Sequence, residues 1–438
     1  MSSSDLRTME KPGDMQLASL DSEVSSSRPT EGVASDADGG TTAWCTLFGG
    51  WLMLIGTFGY ISAFGVYQDL YTTVYGMSSS RASWIGSTQL FFMLAGALPA
   101  GKLLDLGYFR HTTLFGSILF VFSLFMLSLA HPDKYYQVFL SQGLGVGLGA
   151  GLLYVPALAV QAHHWRRRRA LAMGITITGS CIGGIFFPIM LNQLLFHHGV
   201  SFGWTVRDSA FVVLGLLAVA NLLMRDRKGV SRSALPKPDP KSLLTDAPYM
   251  ISIVGVFFVD WGLFFPYFYL QVFSLVRGVN ADVSFYMLAL LNGVSIPGRI
   301  IPNALAPQLG VFNLLISSIA VCGILIFAMF GINSTAGVVI FAILYGFFSG
   351  AMLSLLTPAV ATLSKHEGEI GTRLGLAFFL TSVGVLTGNP IDGALLGNTL
   401  PYTWGRALVF SGVCMLGGAA IVFVARVILA SRKGTQRV

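Results

Sequence analysis

The chain has 438 residues, of which 54% are hydrophobic and only 11% are charged, and its mean hydropathy is +0.70. Soluble domains carry about 25% charged residues, so this composition excludes an ordinary soluble domain and indicates a protein that resides in the bilayer. The net charge of +7 does not indicate a nucleic-acid partner, because the basic residues gather in short loops between apolar stretches. The four cysteines form no CxxC pair, which argues against a disulfide framework or a metal site.

Residues 1–42 are polar and rich in serine, aspartate and glycine, and we expect them to form a disordered cytoplasmic tail. From Ala43 onward, apolar runs recur with the length of about 20 residues that a helix needs to cross a hydrocarbon core. Backbone groups in lipid must hydrogen-bond within their own segment, so these runs are predicted to be helices. Twelve spans are predicted near residues 43–67, 83–104, 112–130, 136–160, 170–194, 208–224, 249–273, 283–305, 311–331, 336–361, 372–395 and 405–428.

The basic residues indicate how the spans are oriented. If the amino terminus is cytoplasmic, 18 lysines and arginines lie in the inner loops and the carboxyl tail, against five in the outer loops. This excess predicts that both termini are cytoplasmic, and we expect the protein to be a multi-pass protein of the plasma membrane.

The longest loop divides the predicted spans six and six. Residues 225–248 hold six basic residues and form a cytoplasmic linker between an amino-terminal half, 43–224, and a carboxyl-terminal half, 249–428. A short cytoplasmic tail follows at 429–438. Two six-helix halves joined in this way predict an all-α membrane protein with the architecture of the major facilitator transporters.

One arginine, Arg299, lies inside the eighth span, and no other charged residue lies between Asp282 and Lys365. An arginine at the centre of a bilayer costs about 2.5–3.5 kcal/mol on the insertion scale and usually faces a polar cavity. Asn292 and Ser295 precede it by about two turns and one turn, so the three form a polar stripe that predicts a substrate-binding face. Two alternatives remain: the stripe makes only packing hydrogen bonds, or Arg299 snorkels to the cytoplasm.

The seventh span carries a carboxyl group, Asp260, near its middle. A desolvated carboxyl group can hold a proton near neutral pH, so Asp260 is the candidate for proton coupling; a neutral acid bonded to backbone is the alternative. Pro266 is expected to break the helix where it lines a cavity. Tyr267 is a candidate substrate ligand or part of an interfacial aromatic belt. Tyr154 is a further substrate-binding candidate, whereas Asp392, near the outer end of span eleven, is expected to reach water.

A glycine and an aspartate mark the inner loop between spans two and three. Asp105 can meet the positive end of a helix in one conformation only, and Gly101 lets helices approach closely. This predicts a cytoplasmic gate, with an ordinary tight loop as the alternative. Arg169 and Arg373 open spans five and eleven at equivalent places in the two halves and are assigned to the same gate.

Two further motifs have simpler explanations. The basic run at residues 163–169 is similar to a nucleic-acid-binding patch, but its position between two spans predicts an anchor for topology, with its two histidines solvated in the loop. The glycine run at residues 143–151 fits a dinucleotide pattern, yet no acidic residue follows about 20 positions later. Close helix packing is therefore the predicted role of these glycines.

Several segments resemble the monocarboxylate transporter family of the major facilitator superfamily, in particular its fungal branch. They are Asp38–Trp44, Phe64–Gln68, Trp165–Ser180, Gly298–Pro302 and Ile370–Gly375. The resemblance implies secondary transport, often linked to protons, of small organic anions, and it implies that Arg299 contacts an anionic substrate. Ser295 and Ser62 stand where animal proton–lactate members carry an aspartate and a lysine, so the lactate mechanism does not transfer.

We therefore predict a secondary transporter that moves a small organic, anionic or polar solute by alternating access, with possible proton coupling. Export of a secondary metabolite and import of a carboxylate or vitamin both remain open. The alternative is a transport-incompetent receptor or sensor on the same scaffold. The sequence contains no HExxH motif and no GxxxxGK[ST] motif, so neither an enzyme nor a nucleotide site is predicted. The expected partners are the solute, membrane lipids and protons, without a cofactor, a metal or nucleic acid.

Overall fold

The computed structural model describes residues 39–226, 243–364, 369–397 and 403–438. Within these ranges the chain folds into twelve helices that correspond to the predicted spans. They are α1 (Thr41–Val74), α2 (Ser79–Ala95 and Ala97–Asp105), α3 (Phe109–Leu129), α4 (Tyr135–His164), α5 (Arg169–His197), α6 (Phe202–Leu223), α7 (Ala247–Val276), α8 (Ala281–Leu309), α9 (Val311–Gly331), α10 (Thr335–Thr362), α11 (Ile370–Leu396) and α12 (Trp404–Lys433).

Ten of the described helices are long and apolar enough to cross a membrane, and the two that fall short are α2 and α8. Helix α2 is divided at Gly96 into two shorter helices, and α8 carries Asn292, Arg299 and Asn303 along its length. Both nevertheless pack among the apolar helices, so the predicted all-α fold of twelve helices is confirmed. Most of the tail predicted at residues 1–42 and much of the linker predicted at 225–248 lie outside the described residues.

Helices α1 and α7 are irregular in their middle. In α7, one helical segment ends at Leu263 and the next begins at Phe265, with Pro266 in its first turn. Proline lacks the N–H that would continue the ladder, so the predicted break is confirmed. In α1, two π-helical stretches, Ile55–Gly59 and Leu70–Val74, flank a turn. Such π-helical insertions are frequent at functional sites.

The twelve helices form two halves with matching packing. In the first half α1 packs against α5 and α6, and in the second half α7 packs against α11 and α12. The halves meet along two seams, α2 with α11 and α5 with α8. We call the end of the bundle where α1 begins and α12 ends the terminal face. A polar side chain on either seam therefore lies between the two six-helix halves. Any motion of one half relative to the other would change its contacts.

Glycines provide the close contacts that hold these helices together. A Cβ added to Gly149 in α4 would lie 2.8 Å from the backbone of Phe120 in α3, and one added to Gly151 would lie 2.6 Å from the carbonyl oxygen of Phe92 in α2. Helix association in lipid depends on such packing, because lipid tails are as apolar as leucine side chains. The packing role predicted for the glycine run is confirmed.

Candidate functional site

The polar stripe of α8 faces α5 of the other half. Ser295 is fully buried, and its hydroxyl lies 3.0 Å from the Sγ of Cys181. Asn292 lies one turn further from the terminal face, where a Cβ added to Gly184 would be 3.6 Å from its side-chain amide. The two helices run antiparallel through these contacts. The stripe thus lines the α5–α8 seam between the halves.

Arg299 crosses this seam. Its side chain is only 3% exposed, and Nη1 donates hydrogen bonds to the carbonyl oxygen of Ile177, at 2.6 Å, and to Oγ of Ser180, at 2.5 Å. The backbones are equally close, since a Cβ on Gly174 would lie 2.6 Å from the carbonyl oxygen of Arg299. The guanidinium is held inside the protein, so the snorkelling alternative does not describe this conformation.

The charge of Arg299 is not neutralised by any carboxylate among the described residues. Both of its acceptors, in Ile177 and Ser180, are neutral groups, and its Nε is buried without a described partner. A buried cation held only by neutral acceptors has a strong affinity for an anion, because the low dielectric of the interior strengthens the attraction.

Two tyrosines lie near this cation, and one of them also lies near a carboxyl group. The hydroxyl of Tyr154 lies within electrostatic range of both Arg299 and Asp260, and Tyr267 lies within range of Arg299. Tyr267 also shares a hydrogen bond of 3.1 Å with Ser349. We call Tyr154, Asp260, Tyr267 and Arg299 the central cluster. Its members come from α4, α7 and α8, and thus from both halves of the protein.

Two aromatic residues that the sequence did not single out enclose Tyr154. Phe58 of α1 packs edge-on against its ring at 5.7 Å between centroids, and Phe378 of α11 does so at 5.4 Å. Phe378 belongs to the other half, so the three rings connect the halves beside the central cluster. No pattern in the sequence marks these two residues, because phenylalanines occur throughout the spans.

Asp260 and Asp392, two carboxyl groups within helices of the second half, differ in their surroundings. Asp260 is 8% exposed and makes no described ion pair, and its Cβ lies 3.4 Å from a Cβ built on Gly384 of α11. Asp392 was expected to reach water, and this expectation is wrong. It is fully buried, and one oxygen accepts a hydrogen bond of 2.9 Å from Ser411.

At the terminal face, Asp105 of α2 meets the first turn of α11. Its Oδ1 accepts a hydrogen bond of 3.0 Å from the backbone N–H of Gly371, and its Oδ2 accepts one of 2.5 Å from that of Thr372. The backbones touch beside this contact, because a Cβ on Gly371 would lie 2.5 Å from the carbonyl oxygen of Gly101. An anion at a helix amino terminus is favoured by the helix dipole and the free N–H groups. The contact joins the two halves at this face.

Arg373, the second arginine assigned to the gate, is fully buried within the second half. Its guanidinium pairs with Asp246, at 2.8 Å, and with Glu369, at 3.0 Å, and stacks over the ring of Tyr249. These contacts tie α7 to the start of α11, close to the residues that Asp105 contacts. Arg169 is the first residue of α5, on the same face of the first half.

The sequence predicted that the two histidines of the basic run are solvated, and this prediction is wrong. Both are less than 10% exposed; Nδ1 of His163 lies 3.4 Å from the carboxylate of Asp226, and Nε2 of His164 lies 2.8 Å from the carbonyl oxygen of Arg225. They connect the end of α4 to the segment that follows α6. A histidine pair beside four arginines gives no sequence signal for such a structural contact.

Two halves of six membrane helices, with a buried cation on the seam between them, define a membrane transporter. Residues 46–388 match the Major Facilitator Superfamily. The chain belongs to this superfamily. It is therefore a multi-pass membrane transporter. Membership of this superfamily argues against the alternative of a receptor.

The curated relatives are fungal transporters of similar length. The chain is 37% identical over 399 residues to the aspyridones efflux protein apdF of Emericella nidulans, covering 91% of this chain and 80% of that protein. It is 36% identical over 383 residues to the agnestins efflux protein AgnL12 of Paecilomyces divaricatus, covering 87% of this chain and 86% of that one.

Solved structures show the same fold at low identity. The crystal structure of the major facilitator transporter FucP in the outward conformation aligns with a TM-score of 0.66 at 14% identity, covering 87% of this chain and 99% of that one. The human organic anion transporter MFSD10 aligns with a TM-score of 0.62 at 14% identity, covering 88% of this chain and 98% of that one.

Proposed function

We propose that this transporter exports a small organic anion, a secondary metabolite of its cell, across the plasma membrane by alternating access. The observation that carries the proposal is Arg299, a buried cation on the seam between the halves without a described carboxylate partner. Two relatives named as efflux proteins support the direction of transport. The segments similar to monocarboxylate transporters support an anionic cargo and a relation to that branch.

Arg299 would couple binding of the anion to movement of the halves. Its Nη1 now holds α5 through Ile177 and Ser180. A carboxylate or enolate of the solute is a stronger acceptor than a carbonyl or hydroxyl oxygen, because hydrogen bonds between charged groups are about twice as strong as neutral ones. An arriving anion would take the guanidinium from α5 and release this link across the seam. Tyr154 and Tyr267 would orient the solute, and Asn292 and Ser295 would line its path.

Asp260 would carry the coupling proton. It is the carboxyl group of the central cluster, and it lies across from α11 without a described cationic partner. Such a carboxyl group would take up a proton in one state of the transporter and release it in the other, as buried carboxyl groups do in proton relays. Proton release would then accompany one opening of the site, as an antiporter that exports its cargo against entering protons requires.

The terminal face would be the cytoplasmic face, with both termini inside the cell. The excess of basic residues in the loops of this face supports the orientation. Gly101 and Asp105 would then close the cytoplasmic gate on the first turn of α11, and Arg373 would fix that turn from within the second half. Arg169, at the equivalent place in the first half, would belong to the same gate.

An untargeted comparison of metabolites inside and outside cells tests this function and identifies the cargo. Cells that lack the protein are compared with cells that regain the wild type or Arg299→Met. We expect an organic acid to accumulate inside the deficient cells and to return to the medium only with the wild type. The proposal fails if no organic anion changes sides, or if Arg299→Met restores export fully.

A further inference from the structure

The two halves contain the same tryptophan–threonine hydrogen bond. In the first half the indole Nε1 of Trp51 in α1 donates to Oγ1 of Thr178 in α5 at 3.1 Å. In the second half Nε1 of Trp261 in α7 donates to Oγ1 of Thr387 in α11 at 3.0 Å. Helices α1 and α7 are the first of each half, and α5 and α11 are the fifth, so the two contacts join equivalent pairs of helices.

The similarity extends to the surroundings of each threonine. The hydroxyl of Thr178 donates to the carbonyl oxygen of Ile175 at 2.7 Å, and that of Thr387 donates to the carbonyl oxygen of Val383 at 2.7 Å. Each hydroxyl thus donates within its own helix and accepts from the tryptophan. A glycine follows each threonine and brings the two backbones together: a Cβ on Gly388 would lie 3.1 Å from the Cα of Trp261.

Both contacts adjoin the groups that hold charge in the site. Thr178 lies between Ile177 and Ser180, the two acceptors of Arg299. Trp261 directly follows Asp260 in the chain. Rotation of α5 about its axis would move both acceptors of Arg299 at once, and rotation of α7 would move the carboxyl group. The tryptophan of each half lies where it resists one of these rotations.

We propose that Trp51–Thr178 and Trp261–Thr387 are paired positioning contacts, which fix the rotation of α5 beneath Arg299 and of α7 at Asp260. The proposal rests on the roles proposed for Arg299 and Asp260 in transport. These four residues touch neither solute nor proton; they act through the groups beside them. Loss of one contact leaves the helices assembled by their glycine packing but lets the neighbouring polar group leave its place.

The first-half contact can be tested without a solute, because the chain holds a native reporter. Cys181 lies in α5 beyond Thr178, is fully buried, and faces Ser295 across the seam. In a variant whose other three cysteines are serine, the rate of alkylation of Cys181 by N-ethylmaleimide measures how often this part of the seam opens. Thr178→Val removes the acceptor with little change in volume. We expect alkylation to become about fivefold faster, as the loss of one hydrogen bond of ordinary strength allows.

Matched variants separate positioning from a general loss of stability. Thr176→Val is the control, because Thr176 is buried in the same helix and its hydroxyl bonds only to Ala172 among the described residues. Thr178→Ser keeps the hydroxyl and should restore the wild-type rate. Trp51→Phe should act like Thr178→Val, and the double variant should add nothing further.

The second-half contact is tested by hydrogen exchange of the α7 segment around Asp260. We expect Thr387→Val to accelerate exchange there, Thr387→Ser to restore it, and the matched control Thr381→Val to leave it unchanged. Equal behaviour of the valine variants and their controls would overturn the proposal, as would failure of the serine variants to rescue. Neither measurement uses the transported solute. Failure of this proposal can therefore be distinguished from failure of the proposed export function.

Discussion

Asp105→Asn is the sharpest perturbation of the contact that closes the terminal face. In the structure the two carboxylate oxygens accept from the N–H groups of Gly371 and Thr372, at 3.0 Å and 2.5 Å. Hydrogen bonds to a charged group contribute about 1.5–3 kcal/mol each. Asparagine keeps one acceptor but loses the other and the charge that faces the amino terminus of α11. We expect the closed state to lose about 2 kcal/mol relative to the open state, a change of about thirtyfold in their ratio.

Spin labels on the two halves measure this ratio. His111, at the start of α3, and Ser431, near the end of α12, are both exposed and accept labels in a variant without the native cysteines. Double electron–electron resonance of Asp105→Asn should show a longer-distance population that the parent protein lacks. Asp133→Asn, which removes an exposed carboxylate between α3 and α4, is the control. An Asp105→Asn distribution identical to that of the control would refute the assignment of Asp105 to closure.

Three other substitutions test separate parts of the structure. Gly371→Ala should lengthen the same spin-label distance, because its Cβ would lie 2.5 Å from the carbonyl oxygen of Gly101; an unchanged distribution would contradict this. Arg373→Met leaves Asp246 and its neighbour Glu369 without this buried cation, so thermal unfolding in detergent should show a loss of about 3–5 kcal/mol, and an unchanged transition would exclude a structural role. Asp260→Asn should abolish the response of solute flux to a proton gradient, and a gradient-driven flux that persists would show that the proton travels elsewhere.

The fold could be predicted from the sequence because the bilayer imposes a length and a hydropathy on every span. The predicted start of α9 and its end both agree with the observed helix, Val311–Gly331. Most other spans were predicted a few residues too short, since polar residues such as Asp69 continue α1 beyond its apolar run. Hydropathy reports where a chain enters lipid, whereas the helix continues as long as its backbone hydrogen bonds do.

The site was only partly predictable. An arginine alone in an apolar span and a carboxyl group in another are visible in a sequence, because burial of a charge in lipid is costly. The direction that Arg299 faces was not visible: the sequence suggested an open cavity, and the structure places its guanidinium against Ile177 and Ser180 of α5. Contacts between halves depend on which helices adjoin, and neither periodicity nor composition encodes that. The burial of Asp392 was missed for the same reason.

The central claim is that Arg299 holds the negative charge of the transported solute. The most direct measurement is flux of the metabolite identified by the export assay into vesicles that contain the purified protein. Arg406→Met, which removes an exposed arginine at the start of α12, is the matched control for Arg299→Met. We predict that the Arg406 variant transports like the wild type and that the Arg299 variant inserts and folds but gives no flux. Full flux through Arg299→Met would contradict the account.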